Sequence, residues 1–427
     1  MRVLSTNISS IKTIIIGKQE MQTGMYKKPI AEGIFLTKLG VKNDAVVDAR
    51  YHGGAEKAAY LYGKNHYSFF KERFPDADWE LGMFGENITL DELDESALNI
   101  GDVYTLGEAE VKISEPRLPC NKFGYRLGDP KAIKAFAESN YPGVYVQIIK
   151  EGKVNPGDLM KLKVSQPEKL SLTDLYRWFL KKSQHAHKAA ELIANPHVTE
   201  NIKEQFRKVL TKERILLEAE KYVREQLEGE GSGHDWWHIK RVLNLSEKMA
   251  KQYPDADLFV VKLGALLHDI GDHKFHDGDH TMGPKLVGEW LNDHSVDSES
   301  AEKVLEIVAE ISFKGAKVAT PMSSLEGEIV QDADRLDAIG AMGIARTFAY
   351  GGNKNREMHN PEHKVEDHEN FEAYKKTTGP TINHFYEKLL LLKDRMNTEY
   401  GSELAKKRHQ YMVTFLEEFF EEWEGKR

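Results

Sequence analysis

The sequence predicts a multidomain protein: a strand-rich, barrel-like N-terminal part, then a short three-helix segment, then an all-α C-terminal bundle. Three observations predict this fold class. The chain has 427 residues, more than one hydrophobic core usually organises. Up to about residue 164, short segments alternate apolar and polar residues as strands do. From Ser171 onward, apolar residues recur at helical spacing instead. The predicted domain boundaries are therefore 1–165, 166–211 and 212–427.

Four alternating segments in the N-terminal part predict two β-hairpins. They are Val103–Leu106 with Val111–Ser114 across Gly107, and Val144–Ile149 with Leu159–Val164 across residues 151–153. Two helices are expected to interrupt the strands, at Lys64–Arg73 and near Lys131–Ser139. Short strands joined by glycine-rich turns favour a closed or nearly closed barrel.

The helical part is expected to begin at Ser171, which can cap the helix that follows it. Asn195-Pro196 and Thr211 are predicted to separate two further short helices. A second helical block starts near Lys212 and continues to the end of the sequence. We therefore expect a small helical appendage followed by a larger helical domain.

The composition narrows the classes of function. No run approaches the roughly 20 apolar residues of a membrane helix, and the first residues lack a signal-peptide pattern, so a cytoplasmic protein without membrane association is expected. The net charge of −9 disfavours general nucleic-acid binding and favours small-molecule substrates. Cys120 is the only cysteine, which excludes an intramolecular disulfide and an iron–sulfur cluster bound by this chain alone.

Cys120 follows a predicted strand and has Arg117 and Lys122 close in sequence. Cationic neighbours favour a thiolate, which could act as a nucleophile or as a ligand for a soft metal. A lone cysteine can also serve only as a small, buried apolar side chain. Upstream, His52 precedes a glycine pair, and Lys57 and Asn87 add donors suited to phosphate or pterin-like groups, although the same segments could be plain turns.

Four short segments follow one another along the N-terminal part of the chain: His52-Gly-Gly, Phe84-Gly-Glu-Asn87, Gly101-Asp102 and Arg117-x-Pro-Cys120. Over about Met1–Val164 the sequence thereby resembles the MOSC domain, particularly its stand-alone bacterial branch, and residues 172–207 resemble the three-helix appendage of that branch. The resemblance implies a β-barrel that binds a molybdopterin-type molybdenum cofactor, with Cys120 as the catalytic thiolate ligand of the metal. The implied cofactor-binding residues are His52, Lys57, Asn87, Arg117, Cys120 and Asn121.

The activity implied by this resemblance is the reduction of N-hydroxylated compounds, including hydroxylaminopurines. Molybdenum suits oxygen removal because it cycles by two electrons. Those electrons need an external source, since a glycine-rich dinucleotide motif after a strand is missing and one cysteine cannot hold an iron–sulfur cluster. A separate flavin or iron–sulfur electron donor is therefore expected as a partner.

The C-terminal part concentrates histidine and aspartate at predicted helix ends. His238 lies at the edge of an apolar stripe, three residues before Arg241, so both can face one cleft. His268 and Asp269 follow an apolar helix, and Asp334 lies among small residues that let helices approach closely. Two imidazoles and two carboxylates suit a divalent cation with open positions for water. Hydrolysis of a phosphate ester or anhydride is the chemistry expected from such a site.

In order and spacing these residues resemble the HD-domain phosphohydrolase superfamily over roughly residues 213–427. The resemblance implies an all-helical bundle with His238, His268, Asp269 and Asp334 as metal ligands. Mn²⁺ or Mg²⁺ is the expected ion, and nucleotides or similar small phosphates are the expected substrates. Asp272 is a candidate general acid or base, and Lys314 and Arg241 are candidate phosphate-binding cations. Relatives that act on cyclic dinucleotides carry lysine where this chain has Asp272, which disfavours that specificity.

The leading hypothesis is a bifunctional enzyme that joins a molybdenum-dependent reductase to a metal-dependent phosphohydrolase. The fusion suggests nucleotide-pool sanitation as the common purpose. One alternative is a sulfur-transfer or molybdenum-cofactor carrier domain, in which Cys120 forms a persulfide, joined to a nucleotide-binding sensor. The sequence leaves the oligomeric state and the coupling between the two halves undetermined.

Overall fold

The computed structural model describes residues 1–16, 19–47, 53–227, 235–270, 282–311, 320–365 and 379–426. The chain divides into two units, Met1–Thr211 and Lys212–Arg427. The first unit is rich in strands and the second is helical, which confirms the predicted fold class. Among the described helices, none combines the length and the hydropathy that crossing a bilayer requires.

Thirteen strands are described in the first unit. They are β1 (Val3–Ile8), β2 (Lys12–Ile16), β3 (Gln19–Thr23), β4 (Lys28–Ile30), β5 (Ile34–Thr37), β6 (Gly40–Val41), β7 (Ala59–Gly63), β8 (Ile88–Leu90), β9 (Val103–Leu106), β10 (Ala109–Pro116), β11 (Val144–Lys150), β12 (Gly152–Val154) and β13 (Met160–Val164). Eight of them form one sheet in the order β13-β9-β10-β11-β7-β8-β1-β4. Strands β12, β5 and β6 form a second sheet, and β2 pairs with β3.

The eight-stranded sheet is open, so the word barrel applies only loosely. Within the described residues β4 and β13 are its edges, and an isolated bridge between Arg2 and Leu159 is what links the start of β1 to the start of β13. The sheet buries one apolar face: alternate residues of β10, such as Val111 and Ile113, are fully buried. This alternation is what the sequence pattern predicted.

One predicted hairpin is confirmed and the other is wrong. Strands β9 and β10 pair in an antiparallel manner across Gly107, whose positive φ of 56° suits a tight turn. Strands β11 and β13 do not pair: β11 lies between β10 and β7, and β13 pairs with β9. The expected turn at residues 151–153 lies largely within strand β12, which pairs with β5 and separates β11 from β13 along the chain.

Two helices of the first unit, Tyr67–Arg73 and Lys131–Ser139, lie at the predicted interruptions, whereas the helix Asn121–Leu127 was not predicted. The helices of this unit are α1 (Tyr67–Arg73), α2 (Asn121–Leu127), α3 (Lys131–Ser139), α4 (Leu172–Leu180) and α5 (Ala189–Ala194), with 3₁₀ segments at Ala55–Lys57, Lys64–His66 and Lys182–Lys188. Ser171 caps α4 as expected, because its side chain accepts a hydrogen bond from the Asp174 amide at 3.0 Å.

A long helix, α6 (Glu200–Leu227), follows, and the helix break expected at Thr211 is wrong. A single threonine costs a helix only a fraction of a kcal/mol (~0.5), and the residues around Thr211 are strong helix formers. The remaining helices are α7 (Trp236–Ala250), α8 (Leu258–Leu267), α9 (Met282–Asp293), α10 (Ser298–Glu310), α11 (Leu325–Asp337), α12 (Gly340–Asn353), α13 (Asn383–Glu387) and α14 (Glu399–Trp423), with a 3₁₀ segment at Leu389–Arg395.

Three helices of the second unit set the frame for its site. α7, α8 and α11 pack against one another around a continuous apolar core. α8 is buried almost all round, which its nearly uninterrupted apolar sequence requires. Its last residue, Leu267, is fully buried, so the residues that follow leave the helix inside the protein.

Candidate functional site

In the second unit, three packed helices bring four predicted ligands together. His238 lies in the first turn of α7, and its amide hydrogen-bonds to the capping side chain of Asp235 at 2.8 Å. His268 and Asp269 follow the end of α8, and Asp334 lies in the last turn of α11. The ligand atoms of His238, His268 and Asp334 all lie within 4.8 Å of one another.

The distances within this cluster are short enough for its groups to bind one small ion together. His238 Nε2 is 3.4 Å from Asp269 Oδ2 and 3.4 Å from Asp334 Oδ1. His268 Nε2 is 3.6 Å from Asp269 Oδ1 and 3.9 Å from Asp334 Oδ1. The side chains of both histidines are 1% exposed, whereas that of Asp334 is 34% exposed. The cluster is therefore open on the side of Asp334.

His268 is oriented as a metal ligand would be. Its Nδ1 atom lies 2.9 Å from the carbonyl oxygen of Ala265, so the ring can donate its proton there. Its Nε2 atom is buried and forms no hydrogen bond within the described part of the chain. A buried imidazole nitrogen without a hydrogen bond, beside carboxylates, fits a divalent cation.

Asp337 is a functional candidate that the sequence analysis did not single out. Its Oδ2 atom lies 2.8 Å from His238 Nδ1. Arg241 donates to both of its oxygens, at 2.7 and 3.0 Å, and Arg346 donates to Oδ2 at 2.6 Å. Arg241, predicted to bind phosphate, is thus bound to a carboxylate. The signal for Asp337 was its position three residues after Asp334, which places the two on one helix face.

The charged side chains of the cluster stabilise the ionised forms of their neighbours. Burial alone would raise the pKa of Asp334, but a hydrogen bond with His238 and the adjacent His268 lower it to about 2. Burial also opposes the ionised form of Asp337, yet His238 and Arg241 hold the pKa of that carboxyl well below its usual range. Burial would lower the pKa of His238, but the carboxylates around the ring raise it. Both carboxylates are therefore ionised at neutral pH, as metal binding requires.

Three predicted site residues, His52, Asp272 and Lys314, lie outside the described residues. Their assignments as a cofactor-binding residue, a general acid or base and a phosphate-binding cation stay predictions.

In the first unit, a cavity brings together four predicted cofactor-binding residues: Lys57, Asn87, Arg117 and Cys120. Asn121, also predicted, is the exposed first residue of α2 and is not among the residues that line the cavity. Among the described residues, the lining comprises Thr23, Gly24, Met25, Lys27, Asp44, Ala45, Val46, Val47, Lys57, Ala58, Tyr60, Gly85, Asn87, Arg117, Cys120, Lys122 and Tyr145. These residues include four cationic side chains, one carboxylate and one thiol, a set that suits an anionic ligand that carries a soft metal.

Arg117 and Cys120 occupy the turn between β10 and α2. Arg117 is 6% exposed, donates to the Phe84 carbonyl oxygen and stacks on the Tyr60 ring, 4.9 Å from its centroid. Burial alone would lower the pKa of Arg117, but interactions with Tyr145 and other neighbours, including a hydrogen bond with Cys120, raise it. The arginine thus stays cationic beside the half-buried thiol, as the local sequence predicted.

The cavity also contains an ion pair that no local motif signalled. Lys27 and Asp44 form a salt bridge with side chains only 8% and 3% exposed. Asp44 also accepts hydrogen bonds from the Ser9 amide at 2.9 Å and from Asn87 Nδ2 at 2.8 Å. Burial lowers the pKa of Lys27, and the negative charge of Asp44 partly offsets this effect. Sequence could not reveal this pair, because Asp44 lies in no regular element.

The Phe84-Gly-Glu-Asn87 segment is a turn held by its own buried glutamate. Glu86 accepts hydrogen bonds from the amides of Gly82 and Phe84, at 2.9 and 3.0 Å. Gly85 has a φ of 75°, a conformation that glycine adopts without strain. The turn fixes Asn87, whose Oδ1 accepts from the Tyr60 amide at 3.2 Å. The conformation of the turn therefore explains the glycine at position 85, and the turn holds Asn87 at the cavity wall.

A strand-rich unit with a cysteine-lined cavity and a helical unit with a histidine–aspartate cluster are the features of two known domain families. Residues 48–161 match the MOSC domain and residues 236–339 match the HD domain. The chain belongs to these two families and is a fusion of a MOSC domain with an HD domain.

Several relatives each match part of the chain. The uncharacterized protein YpgQ of Bacillus subtilis is 40% identical over 46% of this chain and 87% of its own length. A crystal structure of YpgQ in complex with ADP matches with a TM-score of 0.40, at 32% identity over 50% of this chain and 96% of that chain. The uncharacterized protein YflK of B. subtilis is 34% identical over 39% of this chain and 75% of its length. A protein of Gibberella moniliformis named "Reductase" is 30% identical over 37% of this chain and 28% of its length.

Proposed function

We propose that the chain is a bifunctional enzyme whose HD domain hydrolyses nucleotides or similar small phosphates with a divalent metal. The observation that carries this proposal is the buried Nε2 atom of His268, which faces two carboxylates and forms no hydrogen bond within the described residues. His238, His268, Asp269 and Asp334 would hold the ion. A divalent cation held there lowers the pKa of a bound water and polarises a phosphoryl oxygen.

The residues of the cluster can bind an ion and leave one side accessible. The two imidazoles enter from the buried side, since their side chains are 1% exposed. Asp334, 34% exposed, borders the open side, where a substrate phosphate can approach. The guanidinium groups of Arg241 and Arg346 lie beside the ligand His238 and are 31% and 22% exposed. Both guanidinium groups donate to Asp337, so they are held beside the candidate ligands.

A nucleotide substrate is favoured by the relative YpgQ. That protein is 40% identical to this chain by sequence and has a crystal structure in complex with ADP. We therefore propose nucleoside phosphates as the substrate class, with Mn²⁺ or Mg²⁺ as the ion.

A panel of nucleoside mono-, di- and triphosphates with Mn²⁺ or Mg²⁺ tests this half. Release of phosphate or pyrophosphate is expected, and His268→Ala should abolish it. His294→Ala is the matched control: His294 also follows a helix and its Nδ1 lies 2.8 Å from a carbonyl oxygen, that of Trp290. The control is expected to retain activity. Turnover that survives in His268→Ala would refute the metal site.

We further propose that the MOSC domain binds a molybdopterin-type molybdenum cofactor and reduces N-hydroxylated compounds such as hydroxylaminopurines. The cavity supports this proposal, because Arg117 and Lys122 supply positive charge for a pterin phosphate and Cys120 supplies a thiol. Lys27 and Lys57 also line the cavity and are paired with Asp44 and Glu115. The bound cofactor would supply oxygen removal coupled to a two-electron change. The relative named "Reductase" supports a redox role.

The electrons for this reduction would come from a separate flavin or iron–sulfur protein, because the chain has a single cysteine and lacks a glycine-rich dinucleotide motif after a strand. Reduction of 6-hydroxylaminopurine by the cofactor-loaded protein, with a chemical reductant in place of the partner, tests this half. Conversion to the amine is expected. Unchanged 6-hydroxylaminopurine, with molybdenum present in the protein by metal analysis, would refute the reductase proposal.

A further inference from the structure

Asp337 lies where it can determine which nitrogen of His238 faces the metal ligands. Its Oδ2 atom is 2.8 Å from His238 Nδ1, and its side chain is 4% exposed. An ionised carboxylate only accepts hydrogen bonds, whereas Arg346 Nη1, 3.3 Å from the same nitrogen, only donates. The contact with Asp337 is 0.5 Å shorter, so the imidazole proton belongs on Nδ1. Nε2, the nitrogen that would bind the ion in place of a proton, then faces Asp269 and Asp334, whose oxygens are 3.4 Å away.

Two arginines hold this carboxylate in place. Arg241, on the same helix as His238, donates through Nε to Oδ1 and through Nη2 to Oδ2. Arg346, on α12, donates to Oδ2 at 2.6 Å. Because Asp337 itself ends α11, three helices converge on one carboxylate. Rotation of that carboxylate away from the imidazole would break bonds to both arginines, so its orientation is fixed before any ion binds.

The two candidate imidazole ligands are therefore oriented by different groups. His268 uses the backbone carbonyl oxygen of Ala265, which no substitution removes. His238 uses the side chain of Asp337, which can be changed.

We propose that Asp337 is a positioning residue that holds His238 in the tautomer and orientation required to bind the divalent ion, with Arg241 and Arg346 as its anchors. This inference rests on the proposed metal-dependent function of the HD domain. It adds that a residue outside the ligand set determines the metal affinity of the site.

Titration of the full-length protein with Co²⁺, followed by visible absorption, tests the inference. Asp337→Asn is expected to bind Co²⁺ about 10- to 100-fold more weakly than the wild type, with an altered visible spectrum, because the ligand imidazole loses its fixed orientation. The matched control is Asp332→Asn. Asp332 is buried on the same helix and accepts from the amide and hydroxyl of Thr398, at 2.8 and 2.7 Å.

The control separates positioning from folding. Asp332→Asn is expected to lose stability yet keep its Co²⁺ affinity within about twofold, since it does not contact the ligands. An equal loss of affinity in both variants would overturn the positioning role, because the effect would then follow stability. Unchanged affinity in Asp337→Asn would overturn it as well. A wild type that binds no Co²⁺ would instead overturn the proposed metal site itself.

A second measurement needs no substitution at Asp337 and covers the case in which that variant does not fold. Nitrogen-15 spectra of histidine-labelled wild-type protein in its Zn²⁺ form report the state of each imidazole. His238 is expected to be protonated on Nδ1 and bound to metal through Nε2. The opposite tautomer would overturn the proposal.

Discussion

Replacement of Lys27 by methionine tests how strongly the cavity of the MOSC domain depends on its buried ion pair. The change leaves Asp44, whose side chain is 3% exposed, without its cation. Loss of one partner from a buried ion pair typically costs about 3–5 kcal/mol. Asp44 keeps its hydrogen bonds from the Ser9 amide and Asn87 Nδ2, which together stabilise the remaining charge. We therefore expect the lower end of that range, a loss of about 3 kcal/mol in the free energy of unfolding.

The double variant Lys27→Met/Asp44→Asn gives the decisive comparison. It removes the uncompensated charge, so it should be more stable than Lys27→Met by about 1–2 kcal/mol. Hydrogen exchange followed by mass spectrometry measures the free energy of opening in peptides from residues 1–211. Peptides from residues 212–427 serve as the internal control. A loss below about 1 kcal/mol in Lys27→Met would contradict this reasoning, because that is the contribution of a solvent-exposed ion pair. No recovery of stability in the double variant would contradict it as well.

Three further outcomes test the sites and the fold. Cys120→Ser should lose most of its molybdenum, measured by plasma mass spectrometry, because a hydroxyl is a poor ligand for a soft metal; equal molybdenum content would contradict the ligand role. Dialysis against EDTA should abolish phosphate release and added Mn²⁺ should restore it, whereas activity that survives chelation would rule out a metal-dependent reaction. Ser171→Ala should destabilise the first unit by about 1 kcal/mol, since its hydroxyl caps the Asp174 amide, and hydrogen exchange in α4 measures it; unchanged exchange would contradict the cap.

The clustering of the four candidate ligands of the HD domain could be predicted because the position of each follows from local sequence. His238, His268-Asp269 and Asp334 all occur at helix ends, and the helices themselves are readable from apolar periodicity. Asp337 was missed because its contacts with His238, Arg241 and Arg346 depend on the approach of α7 and α12 to the end of α11. No local pattern encodes that approach.

In the strand-rich unit, the positions of β9, β10, β11 and β13 could be predicted from local sequence, but the partners of β11 and β13 could not. Strand positions follow from alternation within a few residues, and β9 to β11 lie where that pattern placed them. Strand partners depend on contacts between residues far apart in sequence, so β13 pairs with β9 although β11 is the nearer strand along the chain. The same long-range assembly brings Lys27 and Asp44 to the cavity that Cys120 lines.

The helical appendage of the first unit limits where the chain can be cut to make an expression fragment. Thr199, just before α6, donates to Glu115 at 2.6 Å, and Glu115 in turn binds the cavity residue Lys57 at 2.7 Å. The apolar side chains of the appendage belong to the same core as the sheet; they include Leu172, Leu175, Leu192, Ile202 and Phe206. An expression fragment cut near residue 165 would expose that core to water and free the glutamate that holds the lysine. Such a fragment should aggregate, whereas the appendage, left in place, covers the core of the sheet and keeps Glu115 hydrogen-bonded beside the cavity residue Lys57.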